Sequence, residues 1–247
     1  MKLSLILPAY NEEENIKKGT LDKVFSYFKN KDFSWEIIVV DDGSDDQTKN
    51  LIEDKYLKVN NKLRLIEKPH QGKAISVIEG IKKAEGDIIA FSDFDLATPI
   101  TEMNKLLSFI DKYDIVIGSR NNIRKGAPLI RKIMAKGFIL IRDLFINLGG
   151  IRDTQCGFKI FKKKAAMRIV ENLKVFKVGK MIDGPSVSAG FDLEFLYLAK
   201  KMGYQIKEVP VLWHYAETRR VNFLKDSIET LIDILKIKFN EVLGKYV

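Results

Sequence analysis

Short apolar runs alternate with helix-period segments along the first half of the chain, the arrangement that builds βαβ units and a largely parallel sheet. Strands are expected near Leu3–Leu7, Glu36–Asp41, Leu63–Glu67, Ile88–Phe91 and Ile115–Gly118. Helices are expected between them, near Glu13–Lys29, Asp46–Tyr56, Lys73–Ala84 and Ile100–Lys112. In open sheets of this type ligands collect beyond the carboxyl ends of the strands. Three of those ends carry polar clusters, Pro8-Ala9-Tyr10-Asn11-Glu12, Asp41-Asp42-Gly43-Ser44 and Ser92-Asp93-Phe94-Asp95, so the three should share one rim.

The pattern changes after Ser119. A basic loop leads into residues 130–148, where Ile133, Met134, Phe138 to Ile141, Leu144 to Ile146 and Leu148 leave little polar surface. A helix that apolar is usually buried. A helix over Asp192–Met202 and a strand near Ile206–Val211 follow. The last stretch, Asn222–Leu243, sets Leu224, Ile228, Leu231, Ile232, Leu235 and Phe239 at helical spacing opposite Lys225, Asp226, Glu229, Asp233 and Lys236. No internal repeat or linker interrupts the chain. The expected organisation is one domain over 1–221, with a nucleotide-binding half (1–120) and an acceptor-binding half (121–221), and an amphipathic C-terminal helix over 222–247.

Composition narrows the chemistry. At 247 residues and 46% apolar, the chain is large enough for a sizeable core. One cysteine, Cys156, and two histidines, His70 and His214, rule out a disulfide framework and any Cys- or His-rich metal cluster. The N-terminal apolar stretch is short and stopped by Pro8, and no run approaches the roughly 18 apolar residues needed to cross a bilayer. The protein is therefore expected to be soluble or held on a membrane surface. Its net charge of +9 favours polyanionic partners: nucleic acid, anionic lipid or phosphorylated substrates. From Arg120 to Arg142 there are seven basic residues and no acidic one, which makes this segment the basic patch.

Asp93 and Asp95 follow an apolar strand. At a strand end, residues i and i+2 point to one side roughly 6–7 Å apart, so two carboxylates there can converge on one hard divalent cation. Oxygen ligands suit Mg²⁺ or Mn²⁺ shared with a substrate diphosphate. The competing explanation is a solvated Asp-rich turn. Arg120, at the end of the next strand, is placed to stabilise charge on a leaving group, or is a surface residue.

The ordered set Pro8-Ala-Tyr-Asn-Glu-Glu13, Val39-Val-Asp-Asp-Gly-Ser44, Gly72-Lys73, Asp93-x-Asp95 and Gly118-Ser-Arg120 resembles family 2 inverting glycosyltransferases of the GT-A fold. Further on, Gly150-Ile-Arg-Asp-Thr-Gln-Cys-Gly-Phe-Lys159, the segment Gly190–Tyr197 and the strand Glu208–Trp213 look like the dolichyl-phosphate glucosyltransferase branch, whose close relative is the mannosyltransferase branch. The resemblance implies an α/β, Rossmann-like three-layer fold with a mostly parallel central sheet and the C-terminal helical extension. It also implies transfer of glucose from UDP-glucose to dolichyl (polyprenyl) phosphate on the cytosolic membrane face, giving a β-linked product. GDP-mannose is the alternative donor. The N-terminal anchor common in eukaryotic glucosyltransferases of this kind is not among these residues, so attachment is expected from the basic segment and, equally with the alternative, the tail helix; covering the sheet or forming a dimer contact is the other use for those faces.

Residue by residue, the resemblance places Pro8, Ala9, Tyr10, Glu12, Asp42 and Lys73 around the nucleotide, with Asp42 accepting from the base imide. It makes Asp95 the more direct ligand of Mg²⁺ or Mn²⁺, with Asp93 also touching the sugar. A turn or helix cap is the other use for Asp42. Asp192 and Glu194 stand where relatives with hydroxyl acceptors keep a base; here Asp192 is expected to position the sugar or acceptor, or to cap a helix. Arg131, Lys132, Arg152, Arg219 and Arg220 are the cations expected to gather the acceptor phosphate. His214 is expected to be structural and Cys156 to pack against the site or core. A different class of function, a non-catalytic basic module on nucleic acid or anionic lipid, rests on charge alone, and no nucleic-acid motif accompanies it.

Overall fold

Seven strands form a single sheet: β1 (Lys2–Ala9), β2 (Ser34–Asp41), β3 (Leu63–Glu67), β4 (Ile88–Ser92), β5 (Ile115–Ser119), β6 (Phe158–Lys162) and β7 (Ile206–Pro210), in the order β3-β2-β1-β4-β6-β5-β7. The computed structural model describes residues 1–120, 137, 139–176, 189–214 and 223–246; of residues 189 and 223–226 it describes the backbone. Strand β6 runs antiparallel to both its neighbours, β4 and β5, while the remaining six share one direction. Strand β1 is central, and Pro8 lies beyond its pairing with β4, where a missing N–H breaks no ladder bond.

Alternation along the strands divides the core between the two faces of the sheet. Leu3, Leu5 and Leu7 of β1 turn to the face covered by α1 (Glu13–Lys17), α2 (Thr20–Lys29), α3 (Thr48–Lys55) and α5 (Met103–Leu107). Ile6 faces α4 (Lys73–Lys83), α7 (Lys163–Asn172), α8 (Ala189–Lys201) and α9 (Phe223–Val242) on the other side. Each aliphatic side chain withdrawn from water in these two layers contributes about 1.5–3 kcal/mol. The result is the three-layer α/β arrangement expected from the sequence.

The departures are local. The expected helix over Glu13–Lys29 is two, because Gly19 adopts φ 77° between α1 and α2. The expected helix over Ile100–Lys112 shortens to a 3₁₀ turn and α5, and then winds down in i→i+3 bonds such as Phe109 N–H to the Leu106 carbonyl (3.1 Å). Strand β6 and helix α7 were not expected, since Lys159 and Lys162 to Lys164 interrupt any apolar period.

The apolar segment after residue 130 also differs. Its described helical part, α6 (residues 139–145), exposes Leu140 (74%), Ile141 and Leu144 (78%) instead of burying them. Arg142 is the side chain turned inward. It donates to the Ile151 carbonyl (2.7 Å), and satisfying that carbonyl rotates the apolar face outward. Helix α9 buries Thr230, Ile234 and Ile237. It leaves Ile228, Leu231, Ile232, Leu235, Phe239, Val242 and Leu243 exposed along its opposite face.

Candidate active site

The rim at the strand ends begins with three turns stitched together. Asn11, held at φ 53°, donates its backbone N–H to Ser44 Oγ (2.9 Å) and accepts from the Asp45 N–H through its side-chain oxygen (2.8 Å). Glu12 donates its backbone N–H to Thr48 Oγ1 (2.7 Å). Asp42 is buried at the tip of β2 and closes the third turn. Its Oδ1 accepts from Lys68 Nζ (3.2 Å) and the Gln71 N–H (3.0 Å), and its Oδ2 from His70 Nδ1 (2.7 Å) and the Gly72 N–H (2.8 Å). An ionised carboxylate offers about four acceptor positions, and all four are engaged. The same turn stacks His70 on Tyr10, with centroids 3.9 Å apart and planes within 8°. Beside it, burial pushes the Asp41 carboxyl up from its usual range.

Lys73, the first residue of α4, carries the rim to the acidic pair. Its ammonium bonds Asp93 Oδ1. Burial alone pulls this lysine down, but Asp93, then Asp192, then Asp95 outweigh it and hold its pKa above the ordinary value. The Lys73 ammonium is thus in contact with Asp93 and feels the charges of Asp192 and Asp95. Strand β4 stops at Ser92, so Asp93 and Asp95 do not sit on an extended strand as the spacing suggested. They sit in a turn closed by the Leu96 N–H on the Asp93 carbonyl (3.2 Å), with Leu96 at φ 51° and Asp95 Oδ1 accepting from the Ala97 N–H (2.9 Å).

Residues 153–159, which lead into β6, hold the far side. Asp153 takes Arg120 in a fork, Nε to Oδ2 at 2.7 Å and Nη2 to Oδ1 at 2.8 Å. Burial opposes both charges, yet each holds the other ionised: Asp153 falls below the usual carboxylate range and Arg120 rises above its own. The Gly157 carbonyl accepts from the Asp93 N–H (3.1 Å). A Cβ on Gly157 would lie 2.1 Å from Asp93 Oδ2, so only glycine leaves that carboxylate its place. Lys159 donates to Asp192 Oδ1 (2.7 Å).

A family model, Glycosyl transferase family 2, matches residues 4–170. The chain belongs to that family. A dolichyl-phosphate beta-glucosyltransferase of Dictyostelium discoideum is 34% identical over 98% of this chain and 75% of its own length. Those of Saccharomyces cerevisiae and Homo sapiens are each 30% identical over 99% of this chain and 76% and 77% of their own lengths. Among solved structures, glucosyl-3-phosphoglycerate synthase from Mycobacterium tuberculosis, in complex with Mn²⁺, UDP and glucosyl-3-phosphoglycerate, superposes with a TM-score of 0.66 at 18% identity. The match covers 96% of this chain and 80% of that one. That likeness is one of fold, and the fold is GT-A.

In this family 2 glycosyltransferase the donor set around Lys73 fits a hard divalent cation. The available ligands at the Asp93–Leu96 turn are carboxylate oxygens, and the ammonium on Asp93 shows that positive charge is accommodated there. Among the described residues no group of three His, Cys, Asp or Glu is gathered to hold a metal ion, so most ligands would come from substrate and water.

Other expected site residues fall into place unevenly. Pro8 and Ala9 are buried at the end of β1, where the Ala9 carbonyl accepts from the Asp42 N–H (2.8 Å). Arg120 is paired with Asp153 and lies against Trp213, 5.7 Å from the ring centroid. Arg152 is exposed, and its backbone N–H reaches Glu208 Oε2 (3.0 Å). Arg131, Lys132, Arg219 and Arg220 lie outside the described residues. Glu194 accepts the N–H groups of Lys174, Val175 and Phe176 and the Tyr246 hydroxyl, which fixes a turn on the buried side. Cys156 is buried and its thiol is pushed up to about 11, chiefly by burial, so it is inert. The sequence did not single out Asp153, Gly157 or Lys159; the one local signal was a lysine inside the apolar run Phe158–Phe161.

Proposed function

We propose that this protein transfers glucose, with inversion, from UDP-glucose to dolichyl (polyprenyl) phosphate at the cytosolic face of a membrane. The observation that carries this is the Lys73 ammonium bonded to Asp93 at the sheet rim, in a chain similar over 98% of its length to a dolichyl-phosphate beta-glucosyltransferase. The relatives' names favour glucose over mannose.

In this proposal the turns of Pro8–Glu12 and residues 68–72 bind the nucleoside, with Tyr10 and Asp42 at their junction. Asp42 acts there through the turn it closes, or accepts from the base once that turn yields a donor. Asp93 and Asp95 would hold Mg²⁺ or Mn²⁺, which when bound neutralises charge on the departing nucleoside diphosphate. Lys73 and Arg120 add fixed positive charge on the same side. The exposed cations, Arg152 among them, gather the acceptor phosphate.

Turnover of a nucleotide-sugar panel, with Mn²⁺ and with or without polyprenyl phosphate, tests the assignment. UDP should be released from UDP-glucose only when the lipid is present, and Asp95→Asn should lower the rate at least about 100-fold. Turnover of GDP-mannose alone would move the assignment to the mannosyl branch. Silence with every donor, or a wild-type rate in Asp95→Asn, would end it.

A lipid acceptor requires the protein to reach a bilayer, and among the described residues no helix is long and apolar enough to cross one. The exposed apolar faces of α9 and α6 support docking in the membrane plane. Replacing both Leu235 and Phe239 by Glu should abolish co-flotation with vesicles and leave activity on a short, water-soluble polyprenyl phosphate. Flotation equal to wild type would remove α9 from the membrane contact.

A further inference from the structure

Lys159 occupies a position where an ammonium group is costly. It is the second residue of β6, between Phe158 and Ile160, pairs with Phe91 on one side and Ile117 on the other, and is 1% exposed. A charge taken out of water there persists only with close compensation. The compensation is the Cys156 carbonyl at 2.5 Å, Asp192 Oδ1 at 2.7 Å and the face of Phe91, 5.1 Å from Nζ. Lys159 Nζ joins Asp192, in the first turn of α8, to the Cys156 carbonyl, and the next residue, Gly157, packs on the Asp93 carboxylate and accepts the Asp93 N–H (3.1 Å), so a short chain of contacts ties Asp192 to the Asp93 turn.

We propose that Lys159 determines which class of acceptor this site uses. By engaging the Asp192 carboxylate it denies the site a general base and confines transfer to acceptors that arrive already ionised. This rests on the transfer to lipid phosphate proposed above, with Asp192 positioning the sugar or acceptor as the sequence leads one to expect.

The proton balance separates the two classes of acceptor. A phosphate monoester is mostly dianionic at pH 7 because its second pKa is near 6. Its oxygen attacks the anomeric carbon, the bond from that carbon to the diphosphate oxygen breaks with its electron pair leaving on UDP, and no proton has to move. Water or an alcohol must shed a proton as its oxygen attacks, and a base must receive it. Protonating Asp192 would strand the buried Lys159 ammonium without its counter-charge. The pair therefore resists the one step that hydroxyl acceptors need.

The experiment compares wild type, Lys159→Met, Lys159→Arg and the double variant Lys159→Met/Asp192→Asn. For each, with UDP-glucose and Mn²⁺, transfer to polyprenyl phosphate and release of free glucose are measured together, with circular dichroism and thermal melting to verify folding. The wild type should transfer to lipid phosphate with little hydrolysis. Lys159→Met should raise the ratio of hydrolysis to transfer at least about tenfold, Lys159→Arg should restore the wild-type ratio, and the double variant should lose the gain. Should Lys159→Met fail to fold, Lys159→Gln keeps a donor for Asp192 without the charge and is read by the same ratio. An unchanged ratio in a folded, neutral variant overturns the inference, as does a gain that survives loss of the Asp192 carboxylate. A wild type that moves glucose to no lipid phosphate instead fells the underlying function.

Discussion

At the tips of β1 and β2, the turns at residues 8–12, 41–48 and 68–72 are joined mainly by backbone N–H groups reaching short polar side chains. Across the rim, Arg120 and Asp192 are held by buried ion pairs with Asp153 and Lys159, partners that lie 33 residues away in sequence. A typical hydrogen bond contributes about 1 kcal/mol net, so the first side loses little when one is removed. Removing one member of a buried pair strands the other and costs about 3–5 kcal/mol. Outside the buried Asp42–Lys68 pair, the first side should tolerate single changes that the opposite side does not.

Three variants bear on that contrast. Asp153→Asn should show the largest effect, a loss of about 3 kcal/mol in urea unfolding near neutral pH, because Arg120 stays buried without its counter-charge. Arg120 holds the Asp153 pKa below the ordinary carboxylate value, so the pair contributes fully above about pH 4 and fades as pH falls through the lowered folded value. The stability gap between wild type and variant should therefore close in acid; a gap that persisted at pH 2 would show that packing, not charge, is at stake.

Gly157→Ala comes next. The added methyl must displace the Asp93 carboxylate, and a shift of about 1 Å costs on the order of 100-fold in turnover. The melting temperature should move by only a few degrees, and wild-type turnover in this variant would mean the carboxylate has room that the geometry denies. Asn11→Gly should have the smallest effect: it keeps the left-handed backbone and removes one acceptor, for about 1 kcal/mol in stability and a few-fold in rate. An effect as large as that of Asp153→Asn would erase the distinction between the two sides.

The same division explains what could be read from the sequence. Strands β1 to β5 and β7, and the polar tips of β1, β2 and β4, follow from alternating apolar runs and turn residues, which are local signals. Strand β6 did not, because Lys159 looks like a solvated residue until Asp192 is brought beneath it. In the sequence Arg120 reads as a cation facing the leaving group, or as surface, and its fork with Asp153 is invisible across the 33 residues that separate them. Helix α6 misled in the opposite sense: its leucines suggested burial, whereas Arg142 is drawn inside by the carbonyls of residues 151 and 152.

The reversed direction of β6 has one further consequence. A strand aligned with its neighbours meets the rim with its trailing loop, but β6 arrives there with its leading end. Residues 153–157 thus stand beside the Asp93 turn and Arg120 before the strand is entered, and the strand is pinned to β4 from Phe158 onward. Changes in the length of residues 153–157 would reshape the edge beside the Asp93 turn without shifting a single pair in the sheet, so the loop can vary while the strand register stays fixed.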